Sequence, residues 1–265
     1  MRTGTRRKFK IGKKIVALIF ARLGGGRFPR KNFAPINGYP ALEVMYKRVR
    51  KSKLINEIII AIPNEKKEME LADFVHQELK AVAYMGHPTS LLERAFECIE
   101  WSDADYIVDM TADCPLVDPV HIDGLIRGLK LHKLDYASNC AIRSWPDGFD
   151  VQVYTKEALE KAYHTVQNPI HRCHSGWNIL EHRKEIVPEP KIGFYAPKKG
   201  YWHPEWGLTI DEHDDLKVID DICVHFNIPE ETPTAMQIIE YIMWKAPHLV
   251  EINKQVKRKN PTVEG

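Results

Sequence analysis

Apolar runs alternate with amphipathic stretches through the first half of the chain. The run at 15–20, Ile-Val-Ala-Leu-Ile-Phe, has no polar position, which is typical of a strand buried on both faces of a parallel sheet. From Leu42 to Val49 apolar residues recur at spacings of three and four, which predicts a helix at 41–52. The same alternation predicts strands at 57–62, 81–84, 106–110 and 135–138, and helices at 65–78, 90–101 and 120–131. It indicates an α/β fold with a wound, mainly parallel sheet.

The pattern changes after residue 138. Phe149, Val151 and Val153 alternate with polar positions, which predicts a β-ribbon at 144–154 with one wet face. Helices at 156–165, 169–182 and 214–226 and strands at 191–196 and 208–210 complete the pattern. Residues 1–13 and 254–265 are charged and polar enough to form tails, so we expect one domain at 14–253 with an insertion at about 140–185.

Composition narrows the functional class. The 265 residues are 44% hydrophobic, as in a globular protein, and a net charge of +2 argues against a nucleic-acid binder held by a basic surface. The five cysteines are scattered and odd in number, which favours neither a disulfide framework nor a zinc ribbon. Arg22 ends the first apolar run too early for a signal peptide, and no window approaches the roughly 18 apolar residues of a membrane span. We therefore expect a cytoplasmic protein that binds any anion locally.

A glycine-rich basic loop follows the first strand. Ligands of open α/β sheets bind at the carboxyl ends of strands, where this loop lies. Gly24, Gly25 and Gly26 let backbone N–H groups approach an anion. The loop's cations suit phosphate oxygens, and they are Arg22, Arg27, Arg30 and Lys31. The spacing is neither that of dinucleotide-binding loops nor that of P-loops, so the pattern predicts another kind of phosphate site.

Two aspartates follow other predicted strands. Asp113 comes after the strand at 106–110 and is a candidate ligand for a hard cation that also contacts phosphate. Asp211 ends the strand predicted at 208–210 and could share that cation. Asp118 precedes Pro119 and a helix, and we interpret it as the helix N-cap.

The ordered motifs resemble a known family. The loop at 21–31, Ala-Arg-Leu-Gly-Gly-Gly-Arg-Phe-Pro-Arg-Lys, is similar to the N-terminal signature of the CMP-sialic acid and CMP-Kdo synthetases, cytidylyltransferases that activate acidic sugars. Thr-Ala-Asp-Cys-Pro-Leu-Val-Asp-Pro at 111–119 and Leu-Thr-Ile-Asp at 208–211 resemble in particular the branch typified by the spore coat polysaccharide protein F. Motifs at 136–139 and 146–153 extend the resemblance over roughly residues 14–226.

This resemblance implies a fold and a set of site residues. The fold is Rossmann-like, of the nucleotide-diphospho-sugar transferase type, and the segment at about 140–185 is a dimerisation arm that makes a homodimer. Asp113 and Asp211 are implied to bind Mg²⁺ and, with Arg22 and Lys31, to form the catalytic group. The implied nucleotide-binding residues are Leu23, Gly24, Gly25, Gly26, Arg27, Lys31, Arg94 and Asp113. The implied acceptor-binding residues are Asp147, Asp150, Gln152, Arg172 and His174.

The sequence thus predicts a Mg²⁺-dependent cytidylyltransferase whose partners are CTP and an anionic small molecule, with no nucleic acid and no membrane. Transfer of CMP to a nonulosonic or octulosonic acid, with release of pyrophosphate, would serve cell-surface polysaccharide synthesis. Three alternatives stay open at this point. They are a phosphonate or phosphorylated acceptor, a glycosyltransferase that uses a nucleotide sugar, and a nucleotide sensor without catalysis.

Overall fold

One mixed sheet organises the computed structural model, which describes residues 12–24 and 27–258. The strands are β1 (Ile15–Phe20), β2 (Pro35–Ile36), β3 (Tyr39–Pro40), β4 (Glu57–Pro63), β5 (Val82–Gly86), β6 (Tyr106–Thr111), β7 (Tyr136–Ser138), β8 (Gln152–Thr155) and β9 (Ile192–Phe194). Within the described residues, seven strands form the sheet in the order β5-β4-β1-β6-β8-β7-β9, and β2 pairs with β3 separately. Neighbours are parallel from β5 to β6 and between β7 and β9, whereas β8 is antiparallel to both its neighbours. The predicted mainly parallel α/β sheet is confirmed.

Helices cover both faces of this sheet. They are α1 (Ala41–Val49), α2 (Met69–Gln77), α3 (Leu91–Ser102), α4 (Pro119–Leu131), α5 (Lys156–Thr165), α6 (Trp177–Glu181), α7 (His213–His225), α8 (Ala235–Trp244) and α9 (Leu249–Ile252). Alternate residues of β1 point to opposite faces: Ile15, Ala17 and Ile19 pack with α1, α2 and α4, and the residues between them pack with α3 and α5. Every residue of β1 is buried, as the unbroken apolar run predicts.

A third apolar cluster joins the C-terminal helices to the sheet's carboxyl end. In this cluster α7 and α8 pack against Phe149, Leu208 and Ile210. These three residues lie close in the chain to predicted site residues. The predicted cap is also present, since the Asp118 carboxylate accepts a hydrogen bond from the Val120 N–H at 2.7 Å with Pro119 in the first helical turn. None of the helices formed by residues 12–24 and 27–258 is long and apolar enough to span a membrane.

Three elements differ from the sequence predictions. The segment predicted as a ribbon contributes β8 to the middle of the sheet, so residues 152–155 do not project as part of an arm. The helix predicted at 169–182 is reduced to a short turn at His171–Cys173 and to α6, because Ser175 and Gly176 between them donate hydrogen bonds to the buried Asp109 carboxylate. The strand predicted at 208–210 is wrong as well, because Leu208 and Ile210 donate their N–H groups to the loop carbonyls of Asp147 and Asp113.

Helices α8 and α9 lie in a region for which the sequence patterns predicted no element. The tails predicted at 1–13 and 254–265 fall mostly outside the described residues, but residues 254–258 pack against the domain, as described below.

Candidate active site

The site lies where β1 and β6 end at the carboxyl edge of the sheet. The basic loop follows β1, and Asp113 follows β6. The Asp113 carbonyl accepts a hydrogen bond from the Ile210 N–H at 2.9 Å, which brings the segment ending in Asp211 beside it. Two acidic residues that are about a hundred positions apart in the chain therefore converge at one place.

Lys31 connects the two aspartates. Its ammonium lies 2.9 Å from Asp113 Oδ2 and 3.2 Å from Asp211 Oδ1, and it also donates a hydrogen bond to the Ile210 carbonyl at 2.8 Å. Burial alone would lower the pKa of Lys31, but the charges of Asp113 and Asp211 outweigh burial and raise it. Burial alone would raise the pKa of Asp113, but the Lys31 charge and a hydrogen bond from Thr111 lower it. Lys31 and Asp113 are therefore both charged at neutral pH in this arrangement.

Arg27 is part of the basic loop in sequence, but its side chain contacts the acidic residues of this site. Its guanidinium lies 3.2 Å from Asp211 Oδ1 and 3.5 Å from Glu212 Oε1. It also donates to the Lys257 carbonyl at 2.7 Å, which ties it to the C-terminal segment. The structure thus places two cations, Lys31 and Arg27, on the pair formed by Asp113 and Asp211.

A second cluster of positive charge borders the loop on the other side. Arg94, at the start of α3, is buried and donates three hydrogen bonds to the carbonyls of His87 and Pro88. Burial, and next the nearby charge of Arg22, lower the pKa of Arg94 to about 10. Arg22 is exposed, and the Lys67 ammonium lies within 4 Å of the place where a Gly24 side chain would begin. Like charges gathered around a glycine make an environment that favours a bound polyanion.

Other residues of the loop have structural contacts. The Leu23 N–H donates to the buried Glu68 carboxylate at 2.6 Å, and the Leu23 carbonyl accepts from Arg30 N–H at 2.9 Å, so Leu23 anchors the loop. The Arg30 guanidinium forms two hydrogen bonds of 2.6 and 2.7 Å with Glu70 in α2, away from the aspartates. Gly25 and Gly26, predicted to bind nucleotide, lie outside the described residues.

A second pair of carboxylates lies next to the first. Arg143 Nη1 lies 2.7 Å from Asp150 Oδ1 and 3.4 Å from Asp147 Oδ1, and this arginine was not among the predicted site residues. The Asp147 carbonyl accepts the Leu208 N–H at 2.5 Å, which fixes this pair beside the 208–211 segment. Burial, reinforced by the charge of Asp150 and opposed by that of Arg143, raises the pKa of Asp147 to about 7.

The remaining predicted acceptor residues lie in other contacts. Gln152 begins β8 and accepts a hydrogen bond from the Tyr136 hydroxyl at 2.9 Å. The Arg172 guanidinium donates to the Val166 carbonyl at 2.7 Å and pairs with Glu93 at 3.1 Å, so it joins α3 to the end of α5. The His174 carbonyl accepts from Asn178 at 2.6 Å in the turn before α6. Arg172 therefore has a structural role in this arrangement, and the carboxylate that it pairs with is Glu93.

The donor set of the first pair fits a hard divalent cation. Asp113 and Asp211 present carboxylate oxygens to one point, now taken by the Lys31 ammonium. Within residues 12–24 and 27–258, no group of three or more His, Cys, Asp or Glu side chains is arranged to hold a metal ion. Mg²⁺ is commonly held by one or two carboxylates, with substrate phosphates and water completing the shell. The pair suits a cation that arrives with a phosphate ligand.

Sequence reasoning missed several residues that lie at this site. Lys67 and Arg143 lie in segments with no motif, and only the folded chain brings them to the loop and to the acidic pair. Asp215 could be interpreted from its position as a first-turn acid of α7, and its contacts with the Asp211 and Glu212 N–H groups are visible only in the structure.

Comparisons with known proteins place the chain in a family. The sequence profile of the family described as cytidylyltransferase matches residues 16–232. An uncharacterised protein of Methanocaldococcus jannaschii is 27% identical over 247 residues, which cover 93% of this chain and 97% of that protein. The 8-amino-3,8-dideoxy-manno-octulosonate cytidylyltransferase of Shewanella halifaxensis is 30% identical over 219 residues, which cover 78% of this chain and 84% of that protein.

Solved structures share the fold. A cytidylyltransferase from Leptospira borgpetersenii aligns with a TM-score of 0.81 at 22% identity, over 94% of this chain and all of that chain. The CMP:2-keto-3-deoxy-manno-octonic acid synthetase complexed with CTP aligns with a TM-score of 0.59 at 15% identity, over 80% of this chain and 99% of that chain. Because the family profile covers most of the chain, this protein belongs to the cytidylyltransferase family and is a CTP-dependent nucleotidyltransferase.

Proposed function

We propose that the enzyme transfers CMP from CTP to a hydroxyl of an acidic sugar and releases pyrophosphate. The observation that carries this proposal is the convergence of Asp113 and Asp211 on Lys31 beside the glycine loop. An acceptor oxygen forms a bond to the α-phosphorus, and the bond to the bridging oxygen of the leaving pyrophosphate breaks. Such a reaction depends on positioning and on charge neutralisation, which this arrangement offers.

The basic side chains divide the work of holding the triphosphate. Arg22 and Lys67 are exposed cations next to the glycine loop. Arg94 adds a buried positive charge near Arg22. Lys31 neutralises the two aspartates while no substrate is bound, and its flexible ammonium can turn to phosphate oxygens when the aspartates are otherwise occupied. Phosphate oxygens thus replace carboxylates as partners of Lys31 during binding.

We propose Mg²⁺ as the cofactor, with Asp113 and Asp211 as its protein ligands. When bound, Mg²⁺ supplies polarisation of phosphoryl oxygens and neutralises charge that develops on the leaving group. The chain's own contribution is to hold Asp211 Oδ1 and Asp113 Oδ2 toward one point from two different elements. The glycosyltransferase and sensor alternatives lose their support, because the family profile spans residues 16–232.

For the acceptor we propose a 3-deoxy-octulosonate, with the 8-amino form preferred. Relatives of 23% and 30% identity from Shewanella amazonensis and Shewanella halifaxensis carry the name of 8-amino-3,8-dideoxy-manno-octulosonate cytidylyltransferases. Asp147 and Asp150 offer acceptor oxygens to sugar hydroxyls or an ammonium, and Arg143 offers a forked donor to a carboxylate. Two acids share one arginine here, so the balance of charge favours a cationic group on the acceptor.

The experiment is a panel of acceptors incubated with CTP and Mg²⁺, with pyrophosphate release and the mass of the CMP conjugate as readouts. The panel contains the 8-amino and 8-hydroxy octulosonates, a nonulosonic acid, a phosphonate and a sugar phosphate. We expect conjugates of the octulosonates, with the highest kcat/KM for the 8-amino acid. A conjugate formed only with the phosphonate or the sugar phosphate would overturn the assignment of the acceptor.

We also propose that the enzyme is a homodimer. In and next to the segment expected to form the dimerisation arm, Ile170 and Val187 are 62% and 84% exposed, which is high for large apolar side chains. Light scattering at micromolar concentration would give twice the mass of the 30.6 kDa chain, whereas the mass of one chain would contradict the proposal.

A further inference from the structure

The C-terminal segment at 253–258 lies against the back of the proposed metal site. The sequence predicts a tail from residue 254 onward, yet Arg258 and Asn253 are bonded to residues on either side of Asp211. Lys257 contributes the carbonyl that accepts a hydrogen bond from Arg27. The last described residues are therefore part of the site's framework.

Arg258 makes two hydrogen bonds that both lead to Asp211. Its Nη1 donates to Thr209 Oγ1 at 3.1 Å, and that hydroxyl donates to Asp211 Oδ2 at 3.3 Å. Its Nη2 donates to Asp215 Oδ1 at 2.8 Å. Asp215 in turn accepts the N–H groups of Asp211 and Glu212 on its other oxygen, at 3.0 and 2.8 Å. One guanidinium thus supports both the carboxylate and the backbone of Asp211.

The orientation of Asp211 follows from these contacts. Thr209 engages Oδ2, which leaves Oδ1 facing the cations Lys31 and Arg27. The fully buried Asp215 would lose a charged partner without Arg258, because its other donors are the neutral N–H groups and the Asn253 amide. A carboxylate held on one oxygen keeps the other available for a ligand in a fixed direction.

A glycine provides the space that Arg258 occupies. A Cβ added at Gly207 would overlap the guanidinium of Arg258, and the Gly207 carbonyl accepts the Asn253 amide at 2.8 Å. A substitution at Gly207 therefore offers a second way to displace the Arg258 side chain. It changes neither Arg258 nor the residues to which Arg258 donates hydrogen bonds.

We infer that Arg258 is a positioning residue that fixes Asp211 for binding the divalent cation. This inference rests on the proposed role of Asp211 as a metal ligand. It assigns a function in the nucleotidyl-transfer site to a segment beyond residues 16–232, the part of the chain that the family profile matches. The segment at 253–258 acts as a strap that must be docked for the metal site to be complete.

The test measures Mn²⁺ affinity in the presence of CTP, by calorimetry, for Arg258→Ala, Arg258→Lys and Gly207→Ala. Partners that orient metal ligands typically contribute about 10–100-fold to metal affinity, so we expect a loss of at least about 10-fold for Arg258→Ala. Gly207→Ala should give a similar loss, since it displaces the same guanidinium. Arg258→Lys should give a smaller loss, because an ammonium can pair with Asp215 but cannot also take the forked position to Thr209.

The control is Lys254→Ala, in the same segment. Lys254 is 71% exposed and pairs with Glu251 in α9, and we expect this variant to bind Mn²⁺ as the wild type does. The double variant Gly207→Ala with Arg258→Ala should lose no more affinity than Arg258→Ala alone, because both changes remove one interaction. Affinity for CTP in EDTA should be within about twofold of wild type in all of them.

Three results would overturn the inference. The first is Mn²⁺ affinity of Arg258→Ala equal to that of Lys254→Ala. The second is additive losses in the double variant, which would show that Gly207 and Arg258 act separately. The third is a wild-type protein whose CTP binding and turnover are unchanged by EDTA, which would remove the metal role of Asp211 and the proposed cofactor with it. The first two outcomes leave the proposed function standing.

Discussion

Two pairs of aspartates lie side by side in the site, and their charges are compensated differently. Asp113 and Asp211 are contacted by two cations, Lys31 and Arg27. Asp147 and Asp150 share a single cation within 4 Å in the described part of the chain, namely Arg143. The four carboxylate side chains are similarly exposed, between 20% and 26%, so exposure does not separate the two pairs.

The number of cations per acid explains the opposite pKa shifts. Asp113 has a lowered pKa although burial opposes this, and Asp147 has a pKa raised to about 7 although Arg143 opposes that. The first pair is compensated, and in the proposed mechanism a divalent cation replaces Lys31 as the partner of the two aspartates. The second pair has one shared cation, and the raised pKa of Asp147 leaves this carboxyl partly protonated near neutral pH. Residue type alone does not separate the two pairs, whereas the surrounding cations do.

The largest expected effect comes from the first pair. Asp113→Asn keeps the shape of the side chain but removes a metal ligand and a partner of Lys31. We expect kcat to fall by about 10²–10³-fold, comparable with the loss of a key electrostatic group in other enzymes. Pyrophosphate release is the measurement, and circular dichroism checks that the fold is retained. A variant that keeps more than a tenth of wild-type turnover would contradict the proposal that the first pair binds the metal and the second pair binds the acceptor.

A change in the second pair should act on the acceptor instead. Asp150→Asn removes a charged hydrogen-bond partner worth about 1.5–3 kcal/mol, so we expect the KM for the acceptor to rise about 10–100-fold. The KM for CTP should change by less than about threefold, because Asp150 contacts Arg143 and not the basic loop. Steady-state kinetics with each substrate varied in turn separate these effects. An equal rise in both KM values would contradict the assignment of this pair to the acceptor.

Removal of the cation shared by the first pair should lower the thermal stability of the protein. Lys31→Met leaves Asp113 and Asp211 facing each other without their common partner. We expect a Tm about 2–8 °C below wild type without metal, equivalent to about 1–2 kcal/mol for a domain of this size. Saturating Mg²⁺ should restore part of the difference, because a divalent cation replaces the lost charge. A deficit that is the same with Mg²⁺ and with EDTA would contradict this account.

The smallest expected effect is a pH dependence of stability that belongs to Asp147. Its pKa in the folded protein is about 7, above the value of 3.8 for an unperturbed aspartate, so the folded state binds the proton more tightly than the unfolded state. The resulting stabilisation is fully present below pH 3.8 and is lost as the pH rises through 7. In Asp147→Asn this loss is absent, so the Tm of the variant relative to wild type should rise by a few degrees between pH 5 and pH 8.

That measurement uses thermal unfolding of both proteins across this pH range in one buffer series. The difference in Tm, rather than either absolute Tm, is the quantity compared, because groups distant from Asp147 titrate equally in the two proteins. A difference that stays constant or falls as the pH rises would show that Asp147 titrates like an ordinary aspartate.

Local patterns were enough to predict the first half of the sheet. The buried run of β1 and the N-cap Asp118 follow from rules that involve only neighbouring residues, and both are present. The place of Asp113 could be anticipated because it follows β6, which ends at the carboxyl edge of the sheet. The strand expected before Asp211 is absent, and a hydrogen bond from the Ile210 N–H to the Asp113 carbonyl brings Asp211 to the same place.

Tertiary contacts explain what the sequence did not reveal. The helix predicted at 169–182 is interrupted because Ser175 and Gly176 donate hydrogen bonds to the buried carboxylate of Asp109. Asp109 lies in β6, far from both residues in the chain. Arg143 and Arg258 carry no sequence signal, since their role depends on the acids that the fold brings to them. The strap at 253–258 resembles a polar tail in composition, and only its docking against Asp215 distinguishes it.

In the proposed mechanism Asp113 and Asp211 together hold a divalent cation beside the nucleotide. The test is a titration of Mn²⁺ into the protein saturated with CTP, using wild type, Asp113→Asn and Asp211→Asn, with Asp150→Asn as the matched control. We expect wild type and Asp150→Asn to bind with the same affinity and each of the other two variants to lose at least about 10-fold. Binding by Asp113→Asn and Asp211→Asn at the wild-type affinity would contradict the account.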